Sequence, residues 1–398
     1  MAIVEVASCA AIDRRDAIRY AVYRSNCANT KSQPAHQARF SQLQKTVSVM
    51  ISGQDHRPNA ILRRVAIGLL LLITSAGYVF VAVVQGPSEE YYAALAANLL
   101  HGRTTLPVRP RPELLRLEDP YDPQENHLYR SQDASLYKGR YYLYFGVVPA
   151  VTLFLPYRLM TGHNLSSRVA VPVFCIAGYL TSCALFFFIA RHNRWALPFW
   201  LQCAIVVSLG SMSLVCILLR RPAFYEVAIA AGYFLVMAGF LALAKAILVG
   251  RARRKWLLLS GILLGAAVGC RPHLVVTCAI VLGALAFRER RNIPLVIAMA
   301  TGMMVCGIAL AWYNYVRFDN PLEFGRSYQL TEFPNNPRSS YHGLEFNPEV
   351  SLQSAKEFLL LTPKVNRHPP FFHTVAINPL PGWPGTPFWP FGWRTRWG

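Results

Sequence analysis

The chain has 398 residues, of which 54% are apolar and 15% charged, and 40 Lys and Arg against 20 Asp and Glu give a net charge of +20. Soluble domains carry about 25% charged residues, so this composition, with its long apolar runs, excludes an ordinary soluble globular fold. Nucleic acid is also excluded as the partner of the positive charge, because the cations gather in short segments between apolar runs, the loop bias of membrane proteins, with no basic stripe interleaved with exposed aromatics.

Met1 to Asn59 is polar, mixed in charge and without a sustained period, and it lacks the parts of a signal peptide. A start at Met50, followed by Arg57, Arg63 and Arg64, would give an ordinary membrane-protein N-terminus. The preceding 49 residues read as an upstream extension or a disordered tail. Ile61–Gln85 is the first span, with its N-terminus cytoplasmic by the Arg pair before it. A large outer loop, 86–144, follows. Its start, Glu89–His101, places Tyr92, Leu95, Ala96, Leu99 and Leu100 at helical spacing, which predicts an amphipathic surface helix stopped by Gly102. Pro107 to Pro123 predicts irregular chain. Eight acids fall here: Glu89, Glu90, Glu113, Glu118, Asp119, Asp122, Glu125 and Asp133.

Phe145–Met160 is a short apolar run interrupted by Pro149 and Pro156. Arg168–Arg191, Trp195–Leu219 and Phe224–Gly250 read as full spans. Trp256–Cys270 and Pro272–Phe287 read as paired short helices broken at Arg271-Pro272, and Ile293–Val316 is the last clear span. Phe318–Gly398 is polar, then rich in Pro, Trp and Phe, and has the look of a truncated or frame-shifted end. The expected fold is all-α, a polytopic transmembrane bundle of about eight hydrophobic segments. Its parts are a tail (1–60), a helical domain (61–316) and an extracytoplasmic C-terminal segment (317–398). The positive-inside rule puts Arg191/Arg194, Arg251–Lys255 and Arg288–Arg291 in the cytoplasm. They agree with the N-terminus only if one run breaks parity: either Phe145–Met160 enters and returns, or Trp195–Leu219 crosses twice around Gly210.

Seven of the nine cysteines (Cys175, Cys183, Cys203, Cys216, Cys270, Cys278 and Cys306) lie inside apolar runs and read as small core residues, with no zinc spacing and no disulfide expected. The histidines show no ligand spacing, and no phosphate-binding glycine loop appears. Carboxylates are the first candidates for chemistry. A carboxylate pinned at the membrane face can act as general base toward an acceptor hydroxyl. For Glu90 and Asp133 that role stands beside simple loop solubility, whereas Asp119 and Asp122, next to prolines, read as turn residues. Cations are the second set. Arg220, Arg221 and Arg271 stand at the ends of apolar runs, and arginine binds phosphate oxygens bidentately. Snorkelling is the bland alternative; Arg271 interrupts a small-residue helix pair, where a snorkelling cation gains little. Lys138 and Arg140 stand beside Tyr141, Tyr142 and Tyr144, a cluster that also fits an interfacial belt.

The order of span, acidic pair, "EEYYAALAANLLHGR", "QDASLYKGRYYLYFGVVPAVTLFLPYRL" and further spans resembles the GT-C superfamily of membrane glycosyltransferases. It looks most like the bacterial branch of dolichyl-phosphate-mannose-protein mannosyltransferase-like and lipid A arabinosyltransferase-like proteins. "LLGAAVGCRPHLVV", "RRPAFYEVAIAAGY" and "AWYNYVRFDNPLEFG" are similar to segments of that branch, and the likeness covers roughly Arg63 to Gly325. It implies a multi-pass protein of the bacterial inner membrane. Such a protein moves a sugar from a polyprenyl-phosphate carrier to a lipid or glycan acceptor at the outer face, with inversion. It further implies Glu90 or Glu89 as base, Asp133 as second loop carboxylate, and Lys138, Arg220, Arg221 and Arg271 toward the carrier phosphate. Membrane lipids are the other partners; a divalent metal is permitted by the carboxylates but demanded by no spacing. Two other classes remain in view: a transporter or flippase of an anionic lipid or solute, and an inactive paralogue or scaffold.

Overall fold

The computed structural model describes residues 60–84, 90–144, 146–211 and 215–331, together with the paired strands Lys364–Val365 and Phe372–His373. The expected N-terminal tail, Glu89 and the Trp-rich end lie outside the described residues. The chain forms two compact units, Met1–Ala66 and Ile67–Gly398. Of the first, only the start of a helix is described; the packing below belongs to the second.

The protein is mostly helical, and four helices are long and apolar enough to cross a membrane: Ile61–Val83, Ser167–His192, Phe224–Val249 and Ile293–Phe318. In chain order the elements are α1 (Ala60–Val83), α2 (Tyr91–Leu99), α3 (Pro112–Arg116), α4 (Pro123–Asn126), β1 (Ala134–Tyr137) and β2 (Arg140–Leu143). A π-helical turn, Ala150–Phe154, runs into α5 (Leu155–Thr161). Then come α6 (Ser167–His192), α7 (Phe199–Ser211), α8 (Val215–Arg220), α9 (Phe224–Val249), α10 (Arg253–Val268), α11 (Val275–Arg288) and α12 (Ile293–Phe318). Large apolar side chains stay exposed along the long helices, among them Phe80, Ile308 and Trp312 at 72%, 64% and 68%. Exposed apolar surface on this scale fits a protein whose surroundings are hydrocarbon.

The long helices pack through small residues, as helices do when no hydrophobic drive separates them from their surroundings. A Cβ on Gly302 of α12 would stand 2.4 Å from the Leu258 carbonyl oxygen of α10, and one on Gly261 would stand 2.1 Å from the Met299 oxygen. The backbones of α10 and α12 therefore touch. Ser260, fully buried, donates to the Gly239 carbonyl at 2.9 Å and ties α10 to α9. Gly178 of α6 receives the ring of Tyr233, whose hydroxyl shares a 2.9 Å hydrogen bond with Ser182. Arg253 and Glu289 form an ion pair, so the start of α10 meets the end of α11.

The eight expected segments differ from these elements in three ways. The run Trp195–Leu219 is divided between α7 and α8, each shorter than a span, after Pro198 delays the helix start. The π-turn and α5 together hold twelve residues, about 18 Å at 1.5 Å per residue. The amphipathic helix α2 is not a simple surface helix: Tyr92 and Leu95 are fully buried in the main core.

The loop also holds a hairpin that helix-based reading passes over. β1 and β2 pair antiparallel, with Ser135 opposite Tyr142 and Tyr137 opposite Arg140. Lys138 and Gly139 turn the chain with φ of 48° and 69°, the left-handed pair that a two-residue hairpin turn requires. Residues after α12 return to this hairpin. Leu330 donates to the Ala134 carbonyl, Asp133 donates to Leu330, and Ser135 bridges Gln329. Tyr328 stacks on Phe318 at 5.5 Å and meets Tyr137 at 4.5 Å, closing an aromatic cluster with Tyr142.

Candidate functional site

Asp133, in a left-handed conformation (φ 59°) just before β1, is where the loop, the returning segment and α9 meet. Aspartate tolerates that region better than most residues. Its Oδ1 accepts a 3.1 Å hydrogen bond from Gln329 Nε2, which also donates to the hydroxyl of Tyr225 at 3.0 Å. Tyr225 stands in the first turn of α9. Its carbonyl accepts a 3.4 Å hydrogen bond from Arg271 Nη2, and its ring lies 5.7 Å from the Arg271 guanidinium. Thus Tyr225 joins Asp133 to Arg271.

Arg271 sits at the break after α10. Gly269 and Cys270 end the helix by bonding back to Ala266 and Ala267, and Pro272 opens a 3-10 turn. The break is braced by Gly146, where an added Cβ would lie 1.9 Å from the Gly269 carbonyl oxygen. Only glycine permits that approach. Burial pulls the Arg271 guanidinium below the usual arginine range, while Tyr92, Tyr144, Tyr225 and Glu226 around it favour its charged form. A partly desolvated cation of this kind holds an anion more strongly than an exposed one.

Arg221 and Arg220 are exposed at the end of α8. Burial disfavours the charged form of Glu226, in the first turn of α9, against the opposing pull of its backbone hydrogen bonds and of Arg221 and Arg271. Asp133, Arg221 and Arg271 are thus drawn to one neighbourhood around the N-terminus of α9. Glu90 and Lys138 are engaged elsewhere. Glu90 accepts from the Ser166 hydroxyl at 2.7 Å, the Ser167 amide at 2.7 Å and the Ser167 hydroxyl at 2.8 Å. It therefore caps α6, where the helix dipole and unsatisfied amides favour a carboxylate. Lys138, on the hairpin tip, pairs with Asp319 at 2.6 Å, and Tyr137 donates to the same carboxylate oxygen at 2.7 Å. These contacts hold Asp319 below the usual carboxylate range and Lys138 above the usual lysine range.

Several residues of the site carried no signal in the reading by residue type. Gln329 lies in a segment without a period. Tyr225 is one aromatic among many at the ends of apolar runs. Arg317, 1% exposed, donates to the Leu143 carbonyl at 2.7 Å and to Asn314 at 2.6 Å, and it stacks on Tyr313. A charged residue inside the last turn of an apolar run was the available clue to it. Ser166-Ser167 ahead of an apolar run is an N-cap signature that would have pointed to α6 as a partner for an acid. Among the described residues no three His, Cys, Asp or Glu side chains gather so as to hold a metal ion.

Comparison with known proteins adds no relative: no family model matches the chain, and no curated protein and no solved structure matches it either. The likeness to GT-C enzymes therefore rests on the sequence segments alone.

Proposed function

We propose that the chain is a multi-pass glycosyltransferase of the bacterial inner membrane that moves a sugar from a polyprenyl-phosphate carrier to an acceptor at the outer face. The observation that supports this most is the linkage of Asp133 to Arg271 through Tyr225. Departure of a phosphate from the anomeric carbon develops negative charge that a fixed cation stabilises. Attack by an acceptor hydroxyl needs a base within hydrogen-bond reach. Asp133 is the base in this reading, Arg271 and Arg221 face the phosphate, and inversion follows if the sugar lies between them. Glu90 holds α2 against α6 and Lys138 holds the hairpin to the end of α12. Both support the site from outside the reacting atoms.

Topology supports the same reading. Twelve residues of π-turn and α5 are too short for a bilayer core of about 30 Å, and so is each of the two helices into which Trp195–Leu219 divides; a parity break at either run leaves the acidic loop on the outer side. The Arg253–Glu289 ion pair puts two basic loops on one side, where the positive-inside rule wants them. A transporter would need charge through the depth of the helices. In α6, α9 and α12 the charged residues stand near the ends instead.

The test is incorporation of labelled sugar by membranes supplied with polyprenyl-phosphate sugars. Asp133→Asn keeps a residue suited to positive φ and should lower transfer about 100-fold or more. Arg271→Ala should lower it similarly at unchanged expression. Wild-type protein that transfers nothing but moves lipid or solute across vesicles would replace this reading with transport.

A further inference from the structure

Glu226 is the carboxylate of this neighbourhood that the reading above leaves unused. Glu90 is consumed by three donors on α6, and Asp133 is held by Gln329. Glu226 accepts from the backbone at Ala223 and at its own residue, at the head of α9, but its buried Oε2 has no hydrogen-bond partner. A buried acceptor left without a donor is costly, so such an atom marks a place where a donor is expected to arrive. It stands one residue after Tyr225, whose carbonyl and ring hold Arg271. Its electrostatic neighbours are Arg221 and Arg271, the two cations assigned to phosphate.

We infer that Glu226 is the sugar-recognising carboxylate of the site, accepting hydroxyl hydrogens of the carrier-linked sugar while Arg221 and Arg271 hold the adjoining phosphate. This rests on the glycosyltransferase reading and gives it a specificity residue. A carboxylate presents two oxygens and accepts from neighbouring hydroxyls at once, which a phosphate or an acyl chain cannot offer it. Glu226 is thereby separated in task from Asp133: the first binds the donor sugar, the second takes the acceptor proton.

The experiment is binding of two probes to the full chain in lipid nanodiscs: a polyprenyl phosphate, and the same lipid bearing a hexose. Wild type should bind the hexose-bearing lipid at least about tenfold more tightly than the bare one, given the strength of hydrogen bonds to a charged group. Glu226→Gln, of the same shape, should lose most of that preference without weakening the bare lipid. Glu226→Asp, shorter by a methylene and still charged, should keep part of it. Arg271→Ala should weaken both probes. Equal preference in wild type and Glu226→Gln, or no preference in wild type, overturns the role of Glu226 and leaves glycosyl transfer standing. Binding of neither probe by folded wild type overturns both. If Glu226→Gln fails to fold, the Asp variant decides: a preference as large as that of wild type overturns the assignment.

Discussion

At the scale of single residues, carboxylates with similar prospects in sequence have different tasks in the structure. Glu90 accepts three hydrogen bonds from the head of α6, so its role is to hold two elements together. Hydrogen bonds to a charged group contribute about 1.5–3 kcal/mol each, net of exchange with water. Glu90→Gln keeps the shape but loses the charge and one acceptor. Its expected cost is about 1–3 kcal/mol in thermal unfolding, with the Ser167→Ala variant falling in the same range. A variant that unfolds like wild type but has lost transfer would return Glu90 to the chemistry. Asp319 offers a pH test at the same scale. Its folded carboxyl titrates below its unfolded value because Lys138 and Tyr137 donate to it, so its contribution is complete above the unfolded carboxylate range and fades as pH falls through the lowered folded value. Both partners are well exposed, so the effect on global stability is small. Protection of the hairpin amides relative to the intrinsic exchange rate at each pH, measured from neutral pH downward, should fall at the acid end in wild type and be already low in Asp319→Asn.

At the scale of elements, helix contacts are set by backbone approach. Gly302→Val would drive a side chain into the Leu258 carbonyl and the Ile262 amide, at 2.4 and 2.7 Å from the first added atom. Backbone cannot move aside as a side chain can, so α10 and α12 must part, at a cost of about 1–3 kcal/mol or more. Gly307, whose Cβ would meet nothing within 4 Å on the same helix, is the matched control and should accept alanine without loss of thermal stability. Helix existence was readable because long apolar runs leave few alternatives: the spans over Arg168–Arg191, Phe224–Gly250 and Ile293–Val316 differ from α6, α9 and α12 by only a residue or two at each end. The hairpin was not readable. Its alternation in Ala134–Leu143 is masked by tyrosines buried in the core on neighbouring positions of β2. Within the site, Arg271 and Asp133 could be found by residue type, since a charge in an apolar break and an acid in an outer loop both demand explanation. Gln329 and Tyr225 could not, because their importance comes from contacts made across 196 and 104 residues of chain.

At the scale of the whole molecule, the proposed topology makes an accessibility prediction. Lys138 and Arg254 are both exposed, and the topology places them on opposite sides of the membrane. In intact cells a membrane-impermeant thiol reagent should label Lys138→Cys but reach Arg254→Cys only after permeabilisation. Labelling of both from the same side would remove the outer-face site.

The return of residues 325–331 to β1 has a consequence for how the chain comes into being. Gln329 is the link that holds Asp133 and Tyr225 together, and it leaves the ribosome after every helix described here. Contacts across such a separation close late, because the intervening chain must be ordered first. A nascent chain stopped at the end of α12 would already own its helices, yet its loop acid would have no clasp to α9. Assembly of the helices and closure of the Asp133–Gln329–Tyr225 clasp are thus separate events in time.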